Sequence, residues 1–224
     1  MQIKISKAKL IVTIIAAVSA IIVLLGALFF VPDNNINSCV RIYTSIGYGS
    51  GMIYNIDNNE VLIATADHVL EGFNENSYIE FADGAKAHGY ICSEDDINDI
   101  GILSIPVMNI PEESLHNIKQ VYITRDVLAS EPEYLEDDYL DECIMYDLFP
   151  KDGIIVFVDG NIMSMNEYIY DFDRHMLHGI STQVTEGMSG SPIFAKDGHL
   201  LGMLLGGNDK GDFVGITYYN LVNR

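Results

Sequence analysis

Three residues far apart in the chain could together carry out acyl-transfer chemistry: His68, Asp99 and Ser189. Ser189 stands in Glu186-Gly187-Met188-Ser189-Gly190-Ser191-Pro192-Ile193-Phe194, where flanking glycines precede a proline and an apolar pair. Glycine permits positive φ and close backbone approach, so such a loop can offer a hydroxyl and exposed N–H groups at one point. The same residues also read as an ordinary turn between two strands. What separates the readings is whether the chain supplies a base and an orienting acid. A serine hydroxyl is a weak nucleophile until a neighbouring base takes its proton. Histidine, with an unperturbed pKa of about 6.5, can accept that proton and return it. A carboxylate on the second imidazole nitrogen fixes the tautomer and stabilises the imidazolium. His68 follows an apolar strand-like run, and Asp99 directly precedes another, Ile100-Gly101-Ile102-Leu103-Ser104-Ile105. Asp95 and Asp96 compete with Asp99, which is favoured because the strand follows it at once. His88, His116, His175, His178 and His199 read as surface or structural residues.

The elements that must position these groups are short strands. Residues 39–44 alternate like a strand, and Gly47 to Gly51 reads as a turn into a strand at 52–56. Asp57-Asn58-Asn59 then turns into 60–65, which predicts a hairpin. Residues 78–81 and 86–91 are strand-like and joined at Asp83-Gly84. Past Pro111 a connection leads to a strand at 121–124. Further strands are expected at 153–158, at 178–185 after a turn at Asp159-Gly160-Asn161, and at 193–195, 199–205 and 213–218. Strands at this spacing with Gly and Asp/Asn turns indicate a β-barrel or sandwich and disfavour βαβ architecture. They fall into two lobes, about 39–108 and 119–220, with His68 and Asp99 in the first and Ser189 in the second. A cleft between two lobes is a favourable place for a site.

The set Gly49-Ser50-Gly51-Met52-Ile53, Thr65-Ala66-Asp67-His68-Val69, Asp99-Ile100-Gly101-Ile102-Leu103 and Gly187-Met188-Ser189-Gly190-Ser191-Pro192 resembles the trypsin-like serine endopeptidases. It is closest in style to the bacterial HtrA-like group. The order His, Asp, Ser is that family's order, and the four motifs with the glycine-rich strand after them cover most of residues 39–220. The resemblance implies an all-β, chymotrypsin-like fold of two six-stranded-type β-barrels. It implies His68 as general base, Asp99 as orienting acid and Ser189 as nucleophile, with the backbone N–H groups of Gly187 and Ser189 as the oxyanion hole. Leu205, Gly206 and Gly207 resemble the strand along which substrate lies, a common mode of peptide capture. By offset from the nucleophile Gln183 would lie near the pocket floor, while Asp209 or Asp212 could instead contribute negative charge. Ser191 stands where the family usually has glycine. The chain ends soon after Tyr219, which leaves no room for a PDZ domain. Protein or peptide substrates are the implied partners, and no cofactor or metal is needed. A non-catalytic peptide-binding or sensor module of the same fold is the alternative.

The 224 residues carry a formal charge of −20. Residues 1–31 hold Lys4, Lys7 and Lys9 and no acid, so the remainder carries −23 against that total. Such a balance argues against nucleic-acid partners and against anionic membrane surfaces. Cys39, Cys92 and Cys143 fit no metal pattern and no disulfide framework. Residues 131–142 (EPEYLEDDYLDE) read as a solvated acidic insertion.

Residues 1–9 are basic, and residues 10–31 are uncharged and apolar. At about 1.5 Å rise per residue such a run spans roughly 33 Å, enough for a bilayer core of about 30 Å. It exceeds the usual signal-peptide core and offers no good cleavage site. Residues 10–31 are therefore expected to be an uncleaved transmembrane signal anchor, with 32–38 a linker and 39–224 the protease domain. Lysines before the segment and acids after it predict a single-pass protein of the cell membrane, N-terminus cytoplasmic and protease domain extracytoplasmic.

Overall fold

A computed structural model describes residues 34–123, 142–150, 153 and 155–222. The expected anchor at 10–31 and residues 131–141 of the acidic stretch lie outside the described residues. Among those described, no helix is long and apolar enough to cross a membrane.

Burial alternates along Val40–Tyr43 and Tyr78–Phe81 of the first lobe, since a period of two places every second side chain on the core face, whereas Gly49–Ile53 is buried throughout. β1 (Cys39–Tyr43), β2 (Tyr48–Ile56), β3 (Glu60–Thr65), β4 (Tyr78–Phe81), β5 (Lys86–Ala87), β6 (Tyr90–Asp95) and β7 (Ile100–Pro106) form one antiparallel sheet in the order β5-β4-β1-β2-β3-β7-β6. The second lobe comprises β8 (Glu142–Asp147), β9 (Val156–Ile169), β10 (Arg174–Ile180), β11 (Pro192–Ala195), β12 (Leu200–Gly207) and β13 (Asp212–Thr217). These close into a barrel, β10-β13-β12-β11-β8-β9. The molecule is thus all-β with two barrel-like sheets, as expected. The strand count differs in the first lobe, where β5 and β6 make the sheet seven-stranded rather than six.

The Asp57 turn between β2 and β3 forms as expected, with its carboxylate accepting from the N–H groups of Asn59 and Glu60. Two glycine signals expected to be turns are not. β2 runs straight through Gly49 and Gly51, and a Cβ on Gly49 would come within 2.6 Å of Val69. The bare backbone there admits the turn that carries His68. β9 likewise runs through Asp159-Gly160-Asn161, pairing those residues with β8. The ring of Phe213 lies against both Gly160 and Gly179, so these glycines serve packing rather than chain reversal. The actual reversal is the long β9–β10 hairpin, with its tip at residues 170–173. Of the strand expected at 121–124, the described residues 121–123 form an isolated bridge from Tyr122 to His199.

One core runs from the first sheet into the second lobe, joining Ile42, Ile53, Ile63 and Leu103 to Tyr146, Phe194, Met203 and Leu205. A second fills the barrel around Met145, Leu177, Met188, Ile193 and Phe213. Polar bonds also tie the lobes: Arg41 Nε donates to the Leu148 carbonyl, and Ser50 N–H donates to the Ser189 carbonyl at 2.8 Å.

Candidate active site

Strand register brings the first two candidates together. β3 and β7 pair antiparallel with Thr65 opposite Gly101, so the residues just after β3 meet those just before β7. A single 3-10 turn, Asp67–Leu70, carries His68 off the strand end, anchored by buried Val69 and Leu70. His68 Nδ1 lies 2.8 Å from Asp99 Oδ2 and 3.0 Å from Oδ1, and the His68 backbone N–H donates to Oδ1 at 3.0 Å. Asp99 thus clamps both the ring and the main chain of the histidine. Asp95 instead binds Asn98 within its own turn.

Electrostatics follow from that geometry. The hydrogen bond to Asp99 raises the His68 pKa above 6.5, against partial desolvation. For Asp99 desolvation is the largest influence and opposes ionisation. The bonds from the His68 side chain and backbone, with the charges of His68 and Arg174, outweigh it and hold the carboxyl below its ordinary value. Asp67 behaves oppositely: burial, then the charges of Glu94, Asp99, Asp96 and Asp95, push it up. Its Oδ1 is buried and accepts no hydrogen bond from the described residues.

Ser189 is placed by a different device. Gly187 and Gly190 adopt φ of +91° and +87°, and a Cβ on Gly190 would lie 2.0 Å from the Ser50 carbonyl oxygen. Between them Met188 plunges into the barrel core, fully buried. Ser50 Oγ donates to the Gly187 carbonyl at 2.8 Å, and Thr65 Oγ1 donates to the Ser50 carbonyl at 2.6 Å. The loop is thereby strapped to the strand that leads to His68. Neither the Gly187 nor the Ser189 N–H donates to an acceptor among the described residues. Ser189 Oγ donates to the Leu205 carbonyl at 3.1 Å and makes no bond to His68. His68 and Ser189 nevertheless line one cavity of about 290 Å³, with Tyr48, Glu186 and Gly187. Ser191, where a glycine was expected, is buried beneath the loop and accepts from Leu204 N–H.

Beyond Ser189 the pairing of β12 with β11 has ended at Met203, while β13 stays paired with it to Gly207. Gly190 and Ser191 bond to Leu204, and past it a cavity of about 590 Å³ opens beside Ser189, Gly206 and Gly207. Ser181, Thr182, Val184, Asp209 and Lys210 also line it. Gln183, expected near the floor, does not line this cavity. It sits exposed in a turn where its N–H donates to Ser181 Oγ, while Val184 packs toward Gly207. Leu205 contributes its carbonyl while its side chain is buried in the core, and Asp212 lines a neighbouring cavity of about 400 Å³.

The trypsin-like peptidase domain matches this sequence over residues 49–203, from the start of the Ser50 strand to the middle of β12. The chain belongs to the trypsin-like peptidase family. It is a serine endopeptidase. The fold agrees with solved structures of low sequence identity. The Rv3671c protease of M. tuberculosis H37Rv, in an inactive form, superposes with TM-score 0.62 at 19% identity, over 87% of this chain and 89% of that one. Deg5 does so with TM-score 0.61 at 17% identity, over 83% and 86%. No curated protein matches the sequence.

Three contributors were given no role from the sequence. Ser50 and Thr65 lie within the motifs but read there as turn and strand residues. Arg174, whose charge acts on Asp99, lies 75 residues further along the chain in the other lobe.

Proposed function

We propose that this endopeptidase hydrolyses peptide bonds through an acyl-enzyme formed on Ser189, with His68 as general base and Asp99 as its orienting acid. The observation that carries the reading is the double contact of His68 Nδ1 with Asp99 at 2.8 and 3.0 Å, beside a cavity that also holds Ser189. With Nδ1–H held by the carboxylate, Nε2 is left as the basic nitrogen. Substrate binding displaces Ser189 Oγ from the Leu205 carbonyl, and the hydroxyl turns to Nε2 and attacks the scissile carbonyl. His68 takes the proton and passes it to the leaving amine. Water then repeats the sequence and releases the acyl group. The free N–H groups of Gly187 and Ser189 are suited to the oxyanion, and the strap from Ser50 fixes them before charge develops.

Peptide substrate extends along Leu205-Gly206-Gly207, where β12 has passed its pairing with β11, and its side chain next to the scissile bond enters the cavity beside Ser189. Residues 10–31 anchor the enzyme in the membrane and residues 39–224 act outside the cytoplasm. The length and uniform apolarity of that segment and the lysines before it support this placement. The resting bond of Ser189 to Leu205 favours a second reading, a peptide-binding module that does not cut. Incubation of the full-length chain with an unfolded protein, followed by mass spectrometry of the products, separates the two. New termini with wild type and none with Ser189→Ala support hydrolysis; intact substrate with both supports capture alone.

A further inference from the structure

A positive φ is costly for a residue with a side chain, and it persists only where the surroundings enforce it. Asp99 has φ of +55°. From its own lobe the turn is held by Asp95, whose carboxylate accepts from the backbone and side chain of Asn98 and which pairs with Ile100. A further bond comes from the other lobe. Arg174, the first residue of β10, donates through Nη1 to the Ile97 carbonyl at 2.8 Å. Ile97 is 82% exposed, so this main-chain bond rather than burial fixes it.

The hairpin that presents Arg174 is itself braced. The guanidinium lies 5.8 Å from the ring centroid of Phe172, and Tyr168 packs edge-on against Tyr170 and His175 while its hydroxyl donates to Asp173. Charge points the same way as geometry. Asp67, Glu94, Asp95 and Asp96 crowd this corner with negative charge, and the positive groups that act on Asp99 are His68 and Arg174.

We infer that Arg174 is a positioning residue: through Ile97, the second lobe's hairpin holds the first-lobe turn that aims Asp99 at His68. The inference rests on the hydrolytic reading above and adds a dependence of the base–acid pair on the lobe that carries the nucleophile. Substrate bound along Gly206 and Gly207 adjoins the cavity that Phe172 lines, so it meets the same hairpin.

The test uses the full-length chain with Arg174→Gln, Arg174→Lys and Phe172→Ala, followed by peptide kinetics across pH and by the hydrogen-bonded Nδ1 proton resonance of His68. Arg174→Gln is expected to lower kcat roughly 10- to 100-fold with little change in KM. Weakening the Asp99 bond removes the main influence that raises the His68 pKa, so the acidic limb of kcat/KM moves to lower pH. The Nδ1 resonance broadens in Arg174→Gln and is retained in Arg174→Lys, and Phe172→Ala shifts both readouts in the same direction by less. A merely structural loss lowers the folded fraction and leaves the limb in place. Wild-type kcat, limb and resonance in Arg174→Gln overturn the inference; if that variant does not fold, unchanged readouts in Phe172→Ala overturn it. A wild type without turnover, whose Nδ1 resonance still depends on Arg174, instead sinks hydrolysis and leaves the positioning role standing.

Discussion

The two lobes hold their candidate catalytic groups by different means. In the first, His68 and Asp99 come together because β3 and β7 are in register, and Asp99 then clasps both the ring and the backbone of the histidine. In the second, Ser189 sits in a loop built on two positive-φ glycines and a buried methionine, and it is not bonded to His68 at rest. A ladder fixes position through many weak bonds at once. A glycine loop fixes it through a few strict conformational demands. The first lobe should therefore fail chemically when a single side chain changes, and the second should fail structurally when a single backbone position changes.

The largest effect expected from breaking the first lobe is at Asp99. Asp99→Asn presents a donor where an acceptor is needed and leaves His68 in the wrong tautomer, with an expected loss in kcat of about 10⁴-fold. Thermal unfolding should confirm that the variant is folded, and a loss of only tenfold would remove Asp99 from its assigned role. In the second lobe, Gly190→Ala must place a methyl group against the Ser50 carbonyl at positive φ. Its expected cost is about 3 kcal/mol or more, measured by denaturant unfolding, and a neutral result would mean that the loop is less tightly held.

A smaller change falls on the strap between the lobes. Ser50→Ala leaves the buried Gly187 carbonyl without its donor, at a cost of about 1–3 kcal/mol. Activity should fall further than stability does, because the N–H groups at Gly187 and Ser189 lose their alignment. Equal losses in both measurements would make Ser50 a packing residue only.

The mildest probe is pH. The base must be neutral to act, and its pKa is raised, so kcat/KM should decline as pH falls through a midpoint above 6.5. Stability carries the opposite sign for this residue. A raised folded-state pKa contributes stability that is full below the unfolded value and lost as pH rises through the folded one. Asp99, with its pKa lowered, contributes stability present above the ordinary carboxylate range and lost as pH falls through its folded value. A rate profile with its acidic midpoint below 6 would contradict the His68–Asp99 bond as described.

The same contrast explains what could be read from the sequence. His68, Asp99 and Ser189 stood out as candidates because each lies beside an apolar run, His68 after one and Asp99 and the Ser189 loop before one, and strand ends leave a clear trace in residue type. Glycines were harder. At Asp159-Gly160-Asn161 the composition of a turn marks instead a strand that passes beneath the Phe213 ring, a tertiary demand that local pattern does not encode. Counting back from Ser189 to Gln183 failed for a related reason: the turn at Thr182–Gln183 exposes the glutamine and sends Val184 toward Gly207. Arg174 left no trace at all, since its role depends on a hairpin of one lobe reaching a turn of the other.

The central claim is that Ser189 becomes a nucleophile because His68, held by Asp99, takes its proton. A fluorophosphonate probe tests it most directly, with the modified residue located by peptide mass mapping. The account predicts one adduct on Ser189 in the full-length wild type and none in folded Ser189→Ala or His68→Ala. A folded wild type that stays unlabelled, or an adduct on any other residue, would contradict it.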